Sequence, residues 1–306
     1  MDEHGYFLVF GDGVCKVFDS SSMNCLIIKV PMKKNRCYPL SFLAENQLLT
    51  KPSCQLVKQH INVFPKNQAQ RASIPLELVH IDLCGPMRTE SVVGNKYFML
   101  IIDDCTRMIW VYFLRNKSKA FNCFKKFKSM TELQSRHKVK CLRSDRGGEF
   151  LSYEFVQFCE DHGIQRQLTM AYTPQQNGVV ERKNITVVEM AKVMLHEKEI
   201  PYFLWAEAVH TSVYILNRCP TKAWNNVTPF EACSGRKPRI AHLKVFGSLC
   251  YVHVPNEVRH KVEPNSVKGV FVGYATCEKG YRIYYPISKK LTLSRDIIFD
   301  EEKSWN

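Results

Sequence analysis

An α/β fold is expected, a sheet covered by helices and followed by a small β-barrel, and three observations predict it. From Leu76 three β-rich runs follow one another. Helical and strand patterns then alternate as far as Leu216, and past Gly235-Arg236-Lys237-Pro238 the chain turns β-rich again.

The 306 residues suffice for about two ordinary domains, and a 45% hydrophobic content is normal for folds that bury a real core. Lysine and arginine outnumber the acids, leaving a net charge of +14. Such an excess favours a polyanionic partner, through steering and through release of counterions condensed on phosphate, and nucleic acid is the first candidate. Apolar runs such as Tyr97 to Ile102 fall far short of the ~20 residues that a membrane helix needs, so no membrane partner is expected. The N-terminal MDEHGYFLVF opens with two acids and has no basic segment ahead of an apolar one, which argues against a secretory signal. An odd count of 13 cysteines, spread singly, fits reduced thiols in the nucleus or cytoplasm.

Residues 1–70 mix short apolar patches (Phe7 to Phe10, Cys25 to Val30) with turn-forming stretches such as Asp19 to Ser22, and no amphipathic period persists there. Pro65 to Ser73 reads as a polar linker. Beyond it, LELVHIDL, KYFMLIIDD and MIWVYFLR form three strands, broken at Gly94-Asn95 and at Cys105-Thr106-Arg107. Ser118 to Arg136 is a helix, with Ala120, Phe121, Phe124, Phe127 and Leu133 at helical spacing and Ser118 as its cap. Val139 to Ser144 is a fourth strand, Ser152 to His162 a second helix, and Ile164 to Thr169 a fifth strand before the loop YTPQQNG. A long helix starts near Asn177 with Val180, Val187, Ala191 and Leu195 on its buried side, and Pro201 opens another over Tyr202 to Leu216. KVFGSLCYVHV, GVFVGY, YRIYY and LTLSRDIIF then supply the four or five strands of a small barrel.

Three acids stand out on this frame. Asp82 ends an apolar run just before Gly85-Pro86, and Asp145 closes KCLRSD ahead of Gly147-Gly148, so both carboxylates point out of a sheet's end. Glu181 lies one turn into the long helix and borders its buried side together with Ile185, which lets it reach the sheet edge. Hard oxygen ligands in that number suit magnesium, and a pair of such ions can serve an in-line displacement at phosphorus. Singly, a strand-end Asp is more often a turn former and a first-turn Glu a partner of the helix dipole. Their joint placement is what counts.

The segments LELVHIDLCGP, KYFMLIIDDCTR, WVYFLRNKS, LRSDRGGEF, YTPQQNGVVERKN, FLWAEAVHTSVYILNR and LKVFGSLCYVHVP follow in order, with KGVFVGY, KGYRIYYP and SRDIIFDEE after them. Over Leu76 to Glu302 the chain resembles the integrase region of copia-type LTR retrotransposon polyproteins. The resemblance implies a ribonuclease H-like core, a mixed sheet flanked by helices, over 71–235, and an SH3-like β-barrel over 240–303, with 1–70 left as a remnant of the preceding region and a linker. It also implies an Asp, Asp, Glu triad with thirty-five residues between the last two acids, the number that separates Asp145 from Glu181. Carried onto this sequence, the triad falls on Asp82, Asp145 and Glu181, which would hold two Mg²⁺ or Mn²⁺ ions. The implied activity is DNA 3′-end processing and strand transfer on element ends and target DNA. The chain would work as a homo-oligomer, in a virus-like particle while part of the polyprotein. Asp103, Asp104 and Glu149 differ from the triad in strand phase or turn position and read as structural.

Around the triad, Arg143, Arg146, Arg182 and Lys183 suit phosphates, and Gln175, Gln176 and Asn177 suit sugar and base edges. Neighbouring helix positions are about 100° apart, so Arg182 and Lys183 cannot both share Glu181's face. In the barrel, Lys261, Lys268, Lys279, Arg282, Lys289 and Lys290 modestly favour nucleic acid. The family's zinc module, two histidines and then Cys-x-x-Cys, is not found: three positions ahead of Cys54 stands Lys51, and no histidine pair precedes it. One cysteine cannot bind zinc, so none is expected. That leaves a reading of a different class open, a noncatalytic nucleic-acid-binding remnant. A ribonuclease H-type hydrolase is argued against by the thirty-five-residue spacing and by QQNGVVERKN.

Overall fold

The computed structural model describes residues 71–169 and 177–305, apart from 256, 258, 260, 261, 263 and 277, together with the backbone of 6–11, 14–19 and 26–31. The chain forms two compact units, Met1–Val63 and Phe64–Asn306.

In the first unit, β1 (Tyr6–Gly11), β2 (Val14–Asp19) and β3 (Leu26–Pro31) make an antiparallel sheet in that order. The apolar patch Phe7 to Phe10 falls in β1, and the patch Cys25 to Val30 falls in β3 from Leu26 onward, although the sequence pattern assigned no strands there. Cys54 and Lys51, where the zinc module was sought, lie outside the described residues.

The second unit opens with β4 (Leu78–Cys84), β5 (Tyr97–Asp103) and β6 (Ile109–Leu114), an antiparallel meander built on the three apolar runs. Helix α1 (Ala120–Ser135) follows, then β7 (Cys141–Ser144), α2 (Tyr153–Asp161) and β8 (Gln165–Leu168). Because β7 pairs with β4, and β8 with β7, in parallel, the sheet is mixed, with strand order β6-β5-β4-β7-β8. Helices α3 (Gly178–Glu197), α4 (Trp205–Leu216) and the short α5 (Pro229–Ser234) complete this part.

Alternation along the strands divides the core in two. Val79, Ile81, Met99, Ile101 and Leu142 face α1 and α2, where Ala120, Phe124, Phe127, Phe155 and Cys159 meet them. Phe98, Leu100 and Ile102 face the other way, onto Val180, Val187, Ala191 and Leu195 of α3 and Val209 and Val213 of α4. Helix α1 departs from its sequence reading in two respects. Ser118 sits in a 3-10 turn, Lys117–Lys119, and gives no cap, while Leu133 is 84% exposed and Thr131 takes the buried place. The buried residues 120, 124, 127 and 131 keep a single stripe that Leu133 does not share.

The C-terminal sheet, β9 (Ser248–His253), β10 (Ser266–Tyr274), β11 (Tyr281–Tyr285), β12 (Lys290–Ser294) and β13 (Ile297–Ser304), is antiparallel throughout, with order β12-β11-β10-β9-β13. Val270, Val272 and Tyr284 join the same apolar core as α3 and α4. Gly273 lets the backbone of β10 come up against α4: its φ is +148°, and a Cβ there would stand 2.8 Å from Thr211 Oγ1.

Candidate active site

The parallel pairing of β4 and β7 sets the first two acids. Leu78 stands level with Cys141, Val79 with Leu142 and His80 with Arg143, and Asp145 follows the last residue of β7, near enough to Asp82 for its charge to act there. Neighbouring parallel strands lie about 4.8 Å apart, and level residues share a face. Val79 and Ile81 both face α1 and α2, so by alternation Asp82 belongs to the α3 side. Asp82 is not the last residue of its strand, since β4 runs on to Cys84, so its carboxylate rises from the sheet's face instead of its end. Glu181 stands in the first turn of α3, and α3 packs across β4 and β5.

Asp82 and Glu181 both feel the charge of Asp145. Burial pushes the Asp82 carboxyl up to about 6, with the charges of Asp145 and Glu181 adding to the rise and hydrogen bonds from the Leu83 N–H and Asn184 opposing it. Glu181 is also raised, by burial first, with Arg182 opposing and Asp145 adding. Asp145 Oδ1 accepts from the Gly147 N–H at 3.0 Å, which turns the carboxylate over the start of the glycine turn. Among the described residues, none of the three acids forms an ion pair. Nor are any three His, Cys, Asp or Glu side chains drawn tightly enough together to enclose a metal ion.

Asn184, three residues beyond Glu181, donates from Nδ2 to Asp82 Oδ2 at 2.5 Å. The sequence did carry a signal for it: an asparagine in the apolar stripe of Val180, Val187 and Ala191 is a polar group placed where burial is certain. Asp103 and Asp104 have all four oxygens engaged. Asp103 accepts from the Leu76 N–H and from the Thr106 N–H and hydroxyl, and Asp104 from the Ala72 N–H, His80 and Arg107. They tie the β5–β6 turn to the start of β4. Glu149 lies across Gly147 from Asp145 and 3.7 Å from Lys117 Nζ.

Two known families match the chain: the integrase core domain over residues 72–174 and the retroviral polymerase SH3-like domain over 248–306. The retrovirus-related Pol polyprotein from transposon TNT 1-94 of Nicotiana tabacum is 42% identical over 250 residues, 82% of this chain and 19% of that polyprotein. That from transposon RE2 of Arabidopsis thaliana is 33% identical over 257 residues, 84% of this chain and 17% of its own length. The chain belongs to the copia-type retrotransposon integrases. It spans under a fifth of either plant polyprotein. Among solved structures, a chain of the simian T-cell lymphotropic virus intasome in complex with PP2A regulatory subunit B56 gamma is similar with a TM-score of 0.47 and 13% identity, over 76% of this chain and 80% of that one. The HTLV-2 integrase catalytic core domain in complex with magnesium follows with a TM-score of 0.41 and 18% identity, over 53% of this chain and 99% of that one.

The basic and amide residues expected to meet DNA take different places in the structure. Arg143 and Arg146 stay beside the β7 end: Arg143 donates from Nε and an Nη to Gln167 Oε1 at 3.1 and 2.7 Å, and Arg146 Nε to the Thr169 carbonyl at 3.0 Å. Arg182 is exposed and folds back over Gly178, where a Cβ would stand 3.1 Å from a guanidinium nitrogen. Lys183 lies apart from it, half-buried, its ammonium lowered by burial and by the charge of Arg107. Asn177 is only 1% exposed and donates to the Ile81 carbonyl at 3.4 Å, so it faces the sheet and not solvent. Gln175 and Gln176 lie outside the described residues, as does Lys261. Of the barrel cations, Lys268, Lys279, Lys289 and Lys290 are exposed, whereas Arg282 is bound to Glu207.

Proposed function

We propose that this integrase chain cuts and joins DNA at a site formed by Asp82, Asp145 and Glu181, with magnesium or manganese ions held between them. The observation that carries this reading is the coupling of the three acids: two of the carboxyls are raised in part by the charges of their fellows, with no ion pair among the described residues to offset them. Three hard-oxygen donors on a rigid strand pair and a helix are a donor set suited to small divalent cations. When bound, such cations neutralise the phosphate under attack and favour in-line displacement.

The protein's own side chains do the rest. Arg143 and Arg146, braced by Gln167 and the Thr169 carbonyl, stand where a phosphate backbone entering from the β7 side would be held, and Arg182 meets it from the start of α3. End processing and strand transfer are the same displacement, with water as attacker in the first and a 3′-hydroxyl in the second, so one arrangement of acids serves both. Contacts to phosphate fix orientation without reading sequence, so target choice is loose and salt-sensitive. As part of a polyprotein the chain works on element ends in a virus-like particle and then on target DNA in the nucleus, as an oligomer.

The test is a strand-transfer and nicking assay with DNA mimicking an element end, in Mg²⁺ and in Mn²⁺, run beside Asp145→Asn. Metal-dependent products that vanish in D145N are expected. Unchanged products in D145N would place the chemistry elsewhere, and retarded DNA without any cleavage in either metal would reduce the chain to a binding module.

A further inference from the structure

Two asparagines seven residues apart, Asn177 at the N-cap of α3 and Asn184 within it, both turn toward β4. Asn177 Nδ2 donates to the Ile81 carbonyl at 3.4 Å, and Asn184 Nδ2 donates to Asp82 Oδ2 at 2.5 Å. Seven residues are close to two helical turns, so 177, 181 and 184 share one stripe, with Glu181 bracketed by the two amides. On the strand side the two acceptors belong to adjacent residues, one backbone and one side chain. Helix and strand are therefore tied at two points, one on either side of the residue that brings the third carboxylate.

The arrangement is not what stability alone would select. An asparagine at the N-cap ordinarily accepts from the first-turn N–H groups through Oδ1. Asn177 occupies that position with no side-chain cap bond, and it spends its amide on the strand instead. Both residues are more than nine-tenths buried, at 1% and 7% exposure, and among the described residues neither Oδ1 has a hydrogen-bond partner. A buried acceptor left unmade costs stability, and each asparagine carries that cost beside the one bond that its amide makes to β4. Sites that keep such a cost are those where geometry is used for function.

We propose that Asn177 and Asn184 form a two-point clamp that registers α3 against β4 and so sets where Glu181 stands relative to Asp82. Both are positioning residues that act through the acids and not on the reacting atoms. The inference rests on the reading of Asp82, Asp145 and Glu181 as the cation-holding acids. It differs from the sequence expectation for Asn177, which placed its amide against sugar and base edges.

The full chain is made as N177L, N184L, the double variant and D145N. Two quantities are measured: thermal unfolding without metal, and Mn²⁺ affinity from the electron paramagnetic resonance of the free ion. The clamp predicts that each leucine variant, once folded and whatever its melting temperature, binds Mn²⁺ about 10-fold more weakly, a loss typical of partners that orient ligating groups, with the double variant weaker again. A purely structural role predicts a lower melting temperature and unchanged affinity of the folded protein, which overturns the proposal, as does wild-type affinity in both single variants. N177S and N184S give the same reading should a leucine variant not fold. D145N separates the two levels: if it keeps wild-type Mn²⁺ binding, the three-acid site itself is wrong, whereas loss in D145N with full binding in the leucine variants removes the clamp alone.

Discussion

The Arg282 guanidinium straddles the Glu207 carboxylate, Nε to Oε2 at 2.6 Å and an Nη to Oε1 at 2.8 Å, across the seam between β11 and α4. Both side chains are mostly shielded, with 27% and 14% of their surfaces exposed. A fork of this kind fixes orientation as well as distance. Beneath it, Val270, Val272 and Tyr284 share one apolar core with α3 and α4. The C-terminal sheet is thus seated on the helix that follows the one bearing Glu181.

Arg282→Ala should therefore be felt on both sides of the seam. Loss of the bidentate pair leaves Glu207 half-buried and unpaired, at a cost of about 1–3 kcal/mol. Amide hydrogen exchange should quicken in β10 and β11 and in α4 together. Faster exchange confined to the sheet would show that the two parts open independently.

Asp104 supplies a pH dependence. Burial alone would raise its carboxyl, but hydrogen bonds from His80 and the Ala72 N–H, with the charge of Arg107, outweigh burial and draw it from 3.8 down to about 2. A lowered carboxyl stabilises the fold fully above its ordinary value, and that stability is lost as pH falls toward the folded one. Urea unfolding should thus show stability dropping by about 2 kcal/mol between pH 4 and pH 2 from this group. Asp104→Asn should be less stable at pH 7 and should flatten that part of the curve; an unchanged acid limb would remove the network from the explanation.

Asp82 has the opposite sign. Its carboxyl is raised from 3.8 to about 6 by burial and by Asp145, so in the metal-free protein the favourable form is the protonated one. That stability is complete below the ordinary value and is lost as pH climbs through about 6. Asp82→Asn should accordingly make the metal-free protein more stable at pH 7, by as much as about 3 kcal/mol, while abolishing stabilisation by added Mn²⁺. Calorimetry with and without the ion measures both. A destabilised D82N that still gains from Mn²⁺ would contradict the electrostatic account of the site.

What the sequence disclosed and what it withheld follow from the range of the interactions. Strands β4, β5 and β6 and the stripe Val180, Val187, Ala191 and Leu195 were legible because periodicity is local and burial enforces it. That the pairing of β4 with β7 brings Asp82 within reach of the Asp145 charge is written in neither strand. The bond from Asn184 to Asp82 spans 102 residues, and no pattern within a helix reports which strand it will meet. Asn177 sits in a loop-like QQNG, so its composition suggested an exposed amide, while the helix it starts carries it inward. The C-terminal sheet shows its own texture in the sequence; that it shares a core with α4 is a property of Val270, Val272 and Tyr284 meeting residues far away in the chain.

Gly147 offers a substitution that separates folding from the site. A Cβ there would stand 2.9 Å from Glu149 Cδ and Oε1 and 3.1 Å from Asp145 Oδ1. All three atoms end side chains that can turn aside, so Gly147→Ala asks the two carboxylates to move and not the backbone, and its effect on stability should stay within about 1 kcal/mol. Asp145 cannot turn aside without weakening its hydrogen bond from the Gly147 N–H, which is what orients it beside Asp82. G147A should therefore unfold close to the wild-type temperature but bind Mn²⁺ more weakly and yield less strand-transfer product. Glu149→Ala in the same background opens the space on the other side and should restore part of both. If the double variant recovers neither, the crowding of Asp145 is not the cause, and the turn acts through its backbone alone.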